Sequence, residues 1–527
     1  MLAAGVAAAA GVGLGACSDD DGSATAGGSR AGSTTDGPTT VPVSTTPKNP
    51  ARWLIDENAR PGATGWQVPD AAPAVWEKIR GYATATSTDR GGTVALRVST
   101  TAPEWRVEAY RTGWYGGAGA RLVWQSETQR GVAQPAAVAE PAVGTWTAPW
   151  DTSMEVTADD SWPPGMYLLK LVSSDGGQTY VPLVVRDDAS TSALLIQSSV
   201  TTWQAYNEWG GKSLYADGDS GNSGRADVVT FDRPYYRKGS GEFFGREFEM
   251  VQFVERLGLD VSYWTDIDLH ATPAIATKHR AVVSLGHDEY YSTAMRRGLE
   301  SARDAGVNLL FVGANACFRK IRLEDSDVGP FRKEVNYRSA ATDPITATDP
   351  SEATVSWRQA PVNEPESSLI GNLYESNPVE GDMKIVNADN WMFEGSGLRN
   401  GDVLPKLVGN EYDRVTPERP TPPDIEVLCH SPVVVRGRNT FADVTWYTTD
   451  SGAGVFAAGT FEWVKKLAPD TTGRTPSAAD PEAALQRVME NVLTAVSNGP
   501  AGAEHPAVRN LEQLGIVPGY VKNPPPT

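Results

Sequence analysis

The sequence predicts an α/β protein in which a flavodoxin-like parallel sheet follows an all-β, immunoglobulin-like sandwich. Between residues 60 and 188, short segments such as GGTVALRVST and TYVPLVVRDD alternate in polarity and are divided by Gly, Pro and Asp turns, as in antiparallel sandwiches. From residue 192 onwards, ALLIQSSV, RAVVSLG and VNLLFVG are apolar on both faces and are separated by helical patterns. Such runs are typical of parallel strands covered by helices.

These changes in composition divide the chain into four predicted segments. They are a signal and Ser/Thr/Gly/Pro-rich tether over 1–50, the sandwich over 51–190, the α/β domain over 191–500 and a tail over 501–527.

The first segment predicts export. An apolar stretch of small residues ends at Leu14-Gly15-Ala16-Cys17. This sequence resembles a lipoprotein box, in which the signal is cleaved off before the cysteine and the cysteine is lipidated. We therefore expect a protein outside the cytoplasm, anchored to the membrane through Cys17. A basic region before the apolar stretch is missing, so the true start of the signal stays open.

Composition excludes several classes of function. Lys plus Arg total 46 against 65 Asp plus Glu, and the net charge of -19 opposes binding to phosphate backbones, so nucleic acid is not a predicted partner. Cys317 and Cys429 are the other cysteines, and whether they pair is left open. Because the chain has no CxxC, HExxH or GxSxG motif, neither a zinc site nor a serine nucleophile is predicted.

Polar and aromatic side chains follow each of four predicted strands. The carboxyl ends of parallel strands meet at one edge of a sheet, so these side chains predict a ligand crevice there. The segments are TTWQAYN from Thr201, TDIDLH from Thr265, HDEYY from His287 and GANACF from Gly313. The long loop from Gly210 to Gly245 is predicted to form a lid over the crevice.

The motifs TWQAYN, FDRPYY, DVSYWTDIDLH, SLGHDEYYS, GANACF, GNEYDR and SGAGVFAAGTFEW occur in this order. The succession resembles the catalytic-domain family of the N,N-dimethylformamidase large (beta) subunit, particularly its exported actinobacterial branch, from about residue 60 to 498. The resemblance implies a class I glutamine amidotransferase-like fold. It also implies a mononuclear iron held by two tyrosines and one glutamate, as in the characterised amidase.

The resemblance carries over to particular residues. Tyr290, in the HDEY block, matches one tyrosine ligand, and Glu411, in GNEYD, matches the glutamate. The second tyrosine is expected on the helix before the second strand, where this chain has Glu249. Either Glu249 replaces it as a metal ligand, or Tyr206 or Tyr236 supplies the phenol.

The function implied is an exported, metal-dependent hydrolase of amide bonds. In this hypothesis His287 or Glu289 is the general base and Asn315 donates to the oxyanion. A small amide substrate would be bound by Trp203, Tyr206, Tyr236, Asp266 and Asp268.

The alternative is a non-catalytic surface lipoprotein that binds glycan or peptide and has a degenerate metal site. The substrate, a homo-oligomeric state and the need for a small subunit stay open.

Overall fold

The computed structural model describes residues 51–70, 72–215, 224–468 and 480–521. The predicted signal and tether, with Cys17, lie outside the described residues. Strand residues predominate, at 35% against 21% in helices. Within the described ranges, no helix has the length and apolar character needed to cross a membrane.

The N-terminal part of the described chain forms mainly antiparallel sheets. Its elements are α1 (Arg52–Asn58), α2 (Pro73–Trp76), β1 (Ile79–Ala83), β2 (Ser87–Asp89), β3 (Thr93–Thr100), β4 (Glu104–Thr112), β5 (Ala120–Gln125), β6 (Gln129–Arg130), β7 (Val138–Glu140), β8 (Thr145–Thr147), β9 (Met154–Thr157), β10 (Gly165–Ser173) and β11 (Gln178–Arg186). One sheet has the order β1-β3-β9 and a second has the order β2-β11-β10-β4-β5, with β6 on β4, while β7 pairs with β8. Alternating apolar side chains, such as Leu96, Val107 and Leu169, form their core.

The following part contains the largest sheet. Its strands are β12 (Leu194–Ser198), β13 (Val228–Thr230), β14 (Val261–Thr265), β15 (Ala281–His287), β16 (Tyr290–Ser292), β17 (Asn308–Ala314), β18 (Arg319–Ser326), β19 (Gly329–Val335), β20 (Leu373–Lys384), β21 (Val403–Arg414), β22 (Glu426–Val435), β23 (Arg438–Thr448) and β24 (Gly454–Ala457). The seven-stranded sheet has the order β14-β12-β15-β17-β24-β23-β22. A four-stranded sheet, β13-β19-β18-β16, and the pair β20-β21 accompany it.

Helices are few and mostly short. They are α3 (Val200–Ala205), α4 (Phe248–Leu257), α5 (Asp266–Ala271), α6 (Thr293–Asp304), α7 (Ser367–Ile370), α8 (Glu462–Lys465), α9 (Pro481–Val496) and α10 (Ala501–Glu504). Helix α6 begins after its N-cap Ser292, whose side chain accepts a hydrogen bond from the backbone N–H of Met295.

The predicted fold class is wrong. The protein is a mainly β structure with several sheets, not a flavodoxin-like or class I glutamine amidotransferase-like parallel α/β domain behind an immunoglobulin-like sandwich. The seven-stranded sheet is mixed, because β23 pairs antiparallel with both β22 and β24 at one side of it. After β17 the chain forms the hairpin-like pairs β18–β19 and β20–β21 instead of crossing back through a helix. The apolar runs do form parallel pairs, β12–β14, β12–β15 and β15–β17, and the departure from the prediction lies in the antiparallel strands that follow.

The two cysteines left open by the sequence do not pair. Both Cys317 and Cys429 are free thiols and both are buried. Burial raises the pKa of each thiol well above its ordinary value, so neither is an activated nucleophile.

A buried ion pair joins the N-terminal sheets to the large sheet. Arg111 on β4 donates from Nη1 and Nη2 to the two carboxylate oxygens of Glu255 on α4, at 2.9 and 2.6 Å. Both side chains are 0% exposed. Tyr263, on β14, donates to the same carboxylate at 2.8 Å. The predicted boundary at residue 190 is therefore crossed by a charged contact shielded from water.

We expect Glu255→Gln to lower the free energy of unfolding by roughly 3–5 kcal/mol, because the guanidinium of Arg111 would stay buried without its counter-charge. Urea denaturation followed by tryptophan fluorescence measures the change. The matched control is Glu512→Gln, which removes an exposed partner of Arg509 and should alter stability little. Equal effects of the two substitutions would contradict the role assigned to the buried pair.

Candidate active site

The ends of the central strands β15 and β17 bring the site residues together. His287 is the last residue of β15, and Asn315 follows β17 directly. The two strands approach very closely here, since a Cβ atom built on Gly313 would lie 1.7 Å from the carbonyl oxygen of Gly286. Glycine at both positions allows the strand ends to converge.

Glu289 is the centre of a buried polar cluster. Its Oε2 atom accepts hydrogen bonds from the hydroxyls of Tyr215, at 2.5 Å, and Tyr206, at 3.1 Å. The same oxygen lies 3.3 Å from Nε2 of His287. On its other side, Oε1 of Glu289 lies 3.5 Å from Nε of Arg319.

Glu411, on β21, faces the same histidine. Its Oε1 atom accepts a hydrogen bond from the side-chain amide of Asn377 at 3.0 Å, and its Oε2 atom lies 3.8 Å from Nε2 of His287. Within the described part of the chain, neither Oε2 of Glu411 nor Nε2 of His287 makes a hydrogen bond, although both are buried. Buried polar atoms without partners mark places where a water molecule, an ion or a substrate completes the site.

Aromatic rings enclose the cluster. The rings of Tyr206 and Tyr215 stack with centroids 4.1 Å apart, and Tyr206 also contacts the imidazole of His287 at 5.3 Å. Phe461 also packs against the imidazole of His287, with centroids 4.5 Å apart, and Tyr290 lies edge-on to Tyr215 at 6.4 Å. These rings keep bulk water from the carboxylates and so strengthen the electrostatic interactions among them.

The charges of His287 and Glu289 depend on each other. Burial disfavours the imidazolium, but the carboxylates of Glu411, Glu242 and Glu289 outweigh burial and raise the pKa of His287 to about 10. Burial also opposes ionisation of Glu289, but the neighbouring His287 and Arg319 cations lower the pKa of its carboxyl to about 2. At neutral pH the protein alone therefore holds a buried ion pair between His287 and Glu289.

The phenols and Glu411 are held toward their neutral forms. Burial and the charge of Glu289 raise the pKa of Tyr206 and Tyr290 above the ordinary value. Burial raises the pKa of Glu411, while the nearby His287 opposes that rise. A phenol in this pocket becomes a phenolate only if a cation displaces its proton.

The donor set fits a hard metal ion such as ferric iron. Among the described residues, no group of three or more His, Cys, Asp or Glu side chains is arranged to hold a metal by itself. A metal held here would take phenol oxygens as well, and Tyr206 brings one within 3.1 Å of Glu289. Phenolate and carboxylate oxygens suit ferric iron. The unpartnered Oε2 of Glu411 is a further donor aimed into the pocket.

The structure brings together most of the predicted catalytic and metal-binding residues. They are Tyr206, His287, Glu289, Tyr290, Asn315 and Glu411. Tyr290 accepts a hydrogen bond from Arg338 at 3.2 Å. Asn315 and Asn377 both favour the ionised carboxylate of Glu411.

Glu249 and Tyr236 are placed differently. Glu249 lies on α4, where the charged groups acting on its carboxyl are Lys465 and Arg246. Tyr236 packs under the guanidinium of Arg237, 4.9 Å from its ring centroid. Of the three candidates for the second phenol or its replacement, Tyr206 is the one that contacts the cluster.

The remaining predicted substrate-binding residues make structural contacts. The indole N–H of Trp203 donates to Glu247 at 3.0 Å. Asp266 accepts a hydrogen bond from the backbone N–H of Thr201 at 2.9 Å. Asp268 belongs to the capping box of α5 and forms an ion pair with Arg186.

Four residues at the site were not predicted from the sequence: Tyr215, Arg319, Asn377 and Glu242, whose carboxylate lies 3.7 Å from Nδ1 of His287. Tyr215 lies in the loop predicted to be a lid, and its position among aromatic residues of a long loop was the available signal. Arg319 and Asn377 lie on or near strands of ordinary composition, and no local pattern distinguishes them.

A buried pocket of carboxylates, phenols and one histidine is the candidate site. The sequence model of the family described as "N,N-dimethylformamidase beta subunit-like, C-terminal" matches residues 106–477. This chain therefore belongs to that family, and the predicted resemblance is confirmed. The assignment to an exported actinobacterial branch stays a prediction.

Other comparisons add little. No curated protein matches the chain. A solved structure of a cycloisomaltooligosaccharide glucanotransferase from Paenibacillus sp., complexed with cycloisomaltoheptaose, is 8% identical, with a TM-score of 0.17. The match covers 70% of this chain and 66% of that enzyme, just under two thirds of its length. A likeness this weak carries no argument about fold or function.

The buried carboxyl of Glu247, which accepts a hydrogen bond from Trp203, allows the effect of burial on its pKa to be tested. Burial raises the pKa of its carboxyl to about 8 from an ordinary 4.5. Its favourable contribution to folding is therefore complete below pH 4.5 and is lost as the pH rises through 8. We expect Glu247→Gln to remove this loss, so that the variant gains stability relative to the wild type between about pH 5 and 9.

Urea denaturation across that pH range gives the comparison. Glutamine still offers an oxygen that accepts from Ser199 and Trp203. A difference in stability that is the same at every pH would reflect changed hydrogen bonding, whereas a difference in slope against pH would reflect loss of the titrating carboxyl. The control is Glu380→Gln, at a carboxyl that is 74% exposed, which should leave the slope unchanged. Parallel curves for the wild type and Glu247→Gln would show that the Glu247 carboxyl does not titrate abnormally.

Proposed function

We propose that this protein hydrolyses the carbon–nitrogen bond of an amide and that it uses iron to do so. Membership of the family supports an amidase-like hydrolase. The observation that carries the proposal is the pair of buried atoms without hydrogen bonds, Nε2 of His287 and Oε2 of Glu411, which lie 3.8 Å apart.

Iron would be held by the carboxylates of Glu289 and Glu411 and by the phenols of Tyr206 and Tyr290. Tyr290 and Glu411 are the residues that the family resemblance implies, and the contact of Tyr206 with Glu289 supports it as the second tyrosine. When bound, the ion supplies a Lewis acid that polarises the amide carbonyl. Tyr215 donates to Glu289 and so orients that carboxylate.

His287 would move the protons. Glu411, Glu242 and Glu289 raise its pKa, so neutralising the charges of Glu411 and Glu289 would lower that pKa toward the ordinary value. Nε2 can then take a proton from the attacking water and deliver it to the leaving nitrogen. Phe461 and Tyr206, packed on the imidazole, hold the ring in place for both transfers.

Asn315 would stabilise the developing oxyanion. It follows β17 with a φ of 57°, a left-handed conformation that is uncommon outside glycine. Its backbone N–H donates to Asp413 at 2.8 Å, which fixes this conformation. Its side chain is thereby directed toward Glu411, where an amide carbonyl would lie.

We also propose that the protein is exported and anchored through Cys17. This proposal rests on the lipoprotein-like segment Leu14-Gly15-Ala16-Cys17 alone.

Tyr206→Phe should reduce the bound iron, with an affinity lower by about tenfold or more, because a phenyl ring has no oxygen to offer. Iron content per chain after reconstitution, together with the visible absorption of ferric tyrosinate, measures the effect. The control is Tyr180→Phe. It removes a buried hydroxyl that donates to the backbone carbonyl of Trp66 and makes no contact with the proposed ligands. Full iron content and unchanged absorption in Tyr206→Phe would contradict the proposed ligand.

His287→Asn should lower kcat on the best amide of a panel by about 10²–10⁴, the usual contribution of a proton-transferring side chain. Iron content should stay close to that of the wild type, because His287 is not among the proposed ligands. Release of amine from formamides and N-acyl amides measures the rate. Undiminished turnover in His287→Asn would exclude the imidazole from proton transfer.

A further inference from the structure

A second pocket adjoins the site. It has a volume of about 590 Å³ and lies between the start of β18, β20 and the turn that joins β22 to β23. Two of its residues also contact the polar cluster, because Arg319 faces Glu289 and Asn377 donates to Glu411. A molecule whose amide lies at His287 can therefore extend into this pocket.

The pocket is lined by arginine. The four are Arg319, Arg358, Arg436 and Arg438. This is unusual in a chain with a net charge of -19. A cleft lined by one sign of charge concentrates ligands of the opposite sign.

Carboxylates within the described chain only partly neutralise these arginines. Arg358 is paired with buried Glu366. Arg438 contacts Glu375 at 2.7 Å, but the same carboxylate is also paired with Arg414. The three arginines Arg358, Arg414 and Arg438 therefore share two carboxylates, those of Glu366 and Glu375.

Arg436 adds a further charge without a carboxylate partner among the described residues. Its Nη2 atom donates to the backbone carbonyl of Asn377 at 2.9 Å, which leaves its other donors available. Arg319 is engaged by Ser356 and Glu289, but its Nε atom is buried and makes no hydrogen bond in the described structure.

The backbone at Arg436 is strained. Val435 and Arg438 pair across the hairpin, so Arg436 and Gly437 form its two-residue turn, with φ values of 50° and 76°. Turns with two positive φ values favour Asn, Asp or Gly at the first position, and a long side chain there is unfavourable. Strain of this kind persists mainly at functional sites. The turn holds a guanidinium at the pocket although another residue would fit the backbone better.

The floor of the pocket is apolar. The rings of Phe318 and Tyr374 pack with centroids 5.3 Å apart, and the guanidiniums of Arg319 and Arg358 lie over Phe318. The pocket therefore offers planar donors above an aromatic surface. Guanidinium donors in this arrangement match a carboxylate.

We propose that the substrate of this enzyme is an anionic amide, whose carboxylate binds in the arginine pocket at Arg436 and Arg319 while its amide lies against His287. N-acyl amino acids are the simplest compounds with this layout. The proposal rests on the amide hydrolase function proposed above and specifies the class of amide.

Binding to the full chain tests it directly. Isothermal titration with a panel of N-acetyl amino acids, each beside its neutral carboxamide counterpart, should show tighter binding of the acid in the pairs that bind. Equal affinity for the acid and the carboxamide throughout the panel would overturn the proposal.

Arg436→Asn separates a binding role from a structural one. Asparagine is favoured in this turn, so the melting temperature should not fall, while affinity for the acid should drop about tenfold through loss of a charge-assisted contact. Arg436→Lys should retain part of that affinity. The control Arg399→Asn, at another exposed arginine, should leave it unchanged. An equal loss for the acid and the carboxamide in Arg436→Asn would count against a carboxylate site.

The two proposals fail in different ways. If the iron-loaded protein hydrolyses neutral amides as efficiently as their anionic counterparts, the arginine pocket does not select substrate and the hydrolase function stands. If acids bind through Arg436 but no amide is hydrolysed, the pocket stands as an anion site and the hydrolase function fails.

Discussion

The burial of two glutamates beside one histidine is the constraint on which the site depends. Glu289 and Glu411 approach Nε2 of His287 within 4 Å in a pocket lined by aromatic rings. Like charges in such a medium are strongly unfavourable unless cations and donors compensate them. Arg319 and the amide of Asn377 provide that compensation. The surrounding fold therefore has to deliver a cation, donors and rings from elements distant in the chain.

The geometry of the strand ends makes this delivery possible. Gly286 and Gly313 let β15 and β17 converge, and Asn315 and Cys317, with φ values of 57° and 53°, turn the chain sharply beyond β17. Non-glycine residues in this region are strained, and they are retained where surrounding contacts hold them. The same feature recurs at Arg436, across the adjoining pocket. Strain is thus found at both ends of the proposed path of the substrate.

Local patterns in the sequence predicted the strand that carries the HDEYY block. The apolar run before His287 predicted a buried strand, so the HDEYY block was expected at a strand end. The fold class was wrong although the apolar strands β12, β14, β15 and β17 do pair in parallel, because the chain beyond β17 adds antiparallel strands and separate sheets. Asp268 illustrates a second limit of local patterns. A carboxylate that follows a strand looks the same in sequence whether it binds a ligand or caps a helix, as Asp268 does at α5.

By itself, the sequence determined the family, the acidic character of the chain and the block containing His287, Glu289 and Tyr290, because each depends on composition or on neighbouring residues. Only the tertiary structure decided that Tyr206 and Tyr215 share Glu289, that Glu411 faces the same histidine, and that arginines from separate strands line one pocket. These contacts join residues tens to hundreds of positions apart. Contacts between residues so far apart in the chain produce no periodic pattern in the sequence, because they depend on which strands pair and how tightly those strands pack.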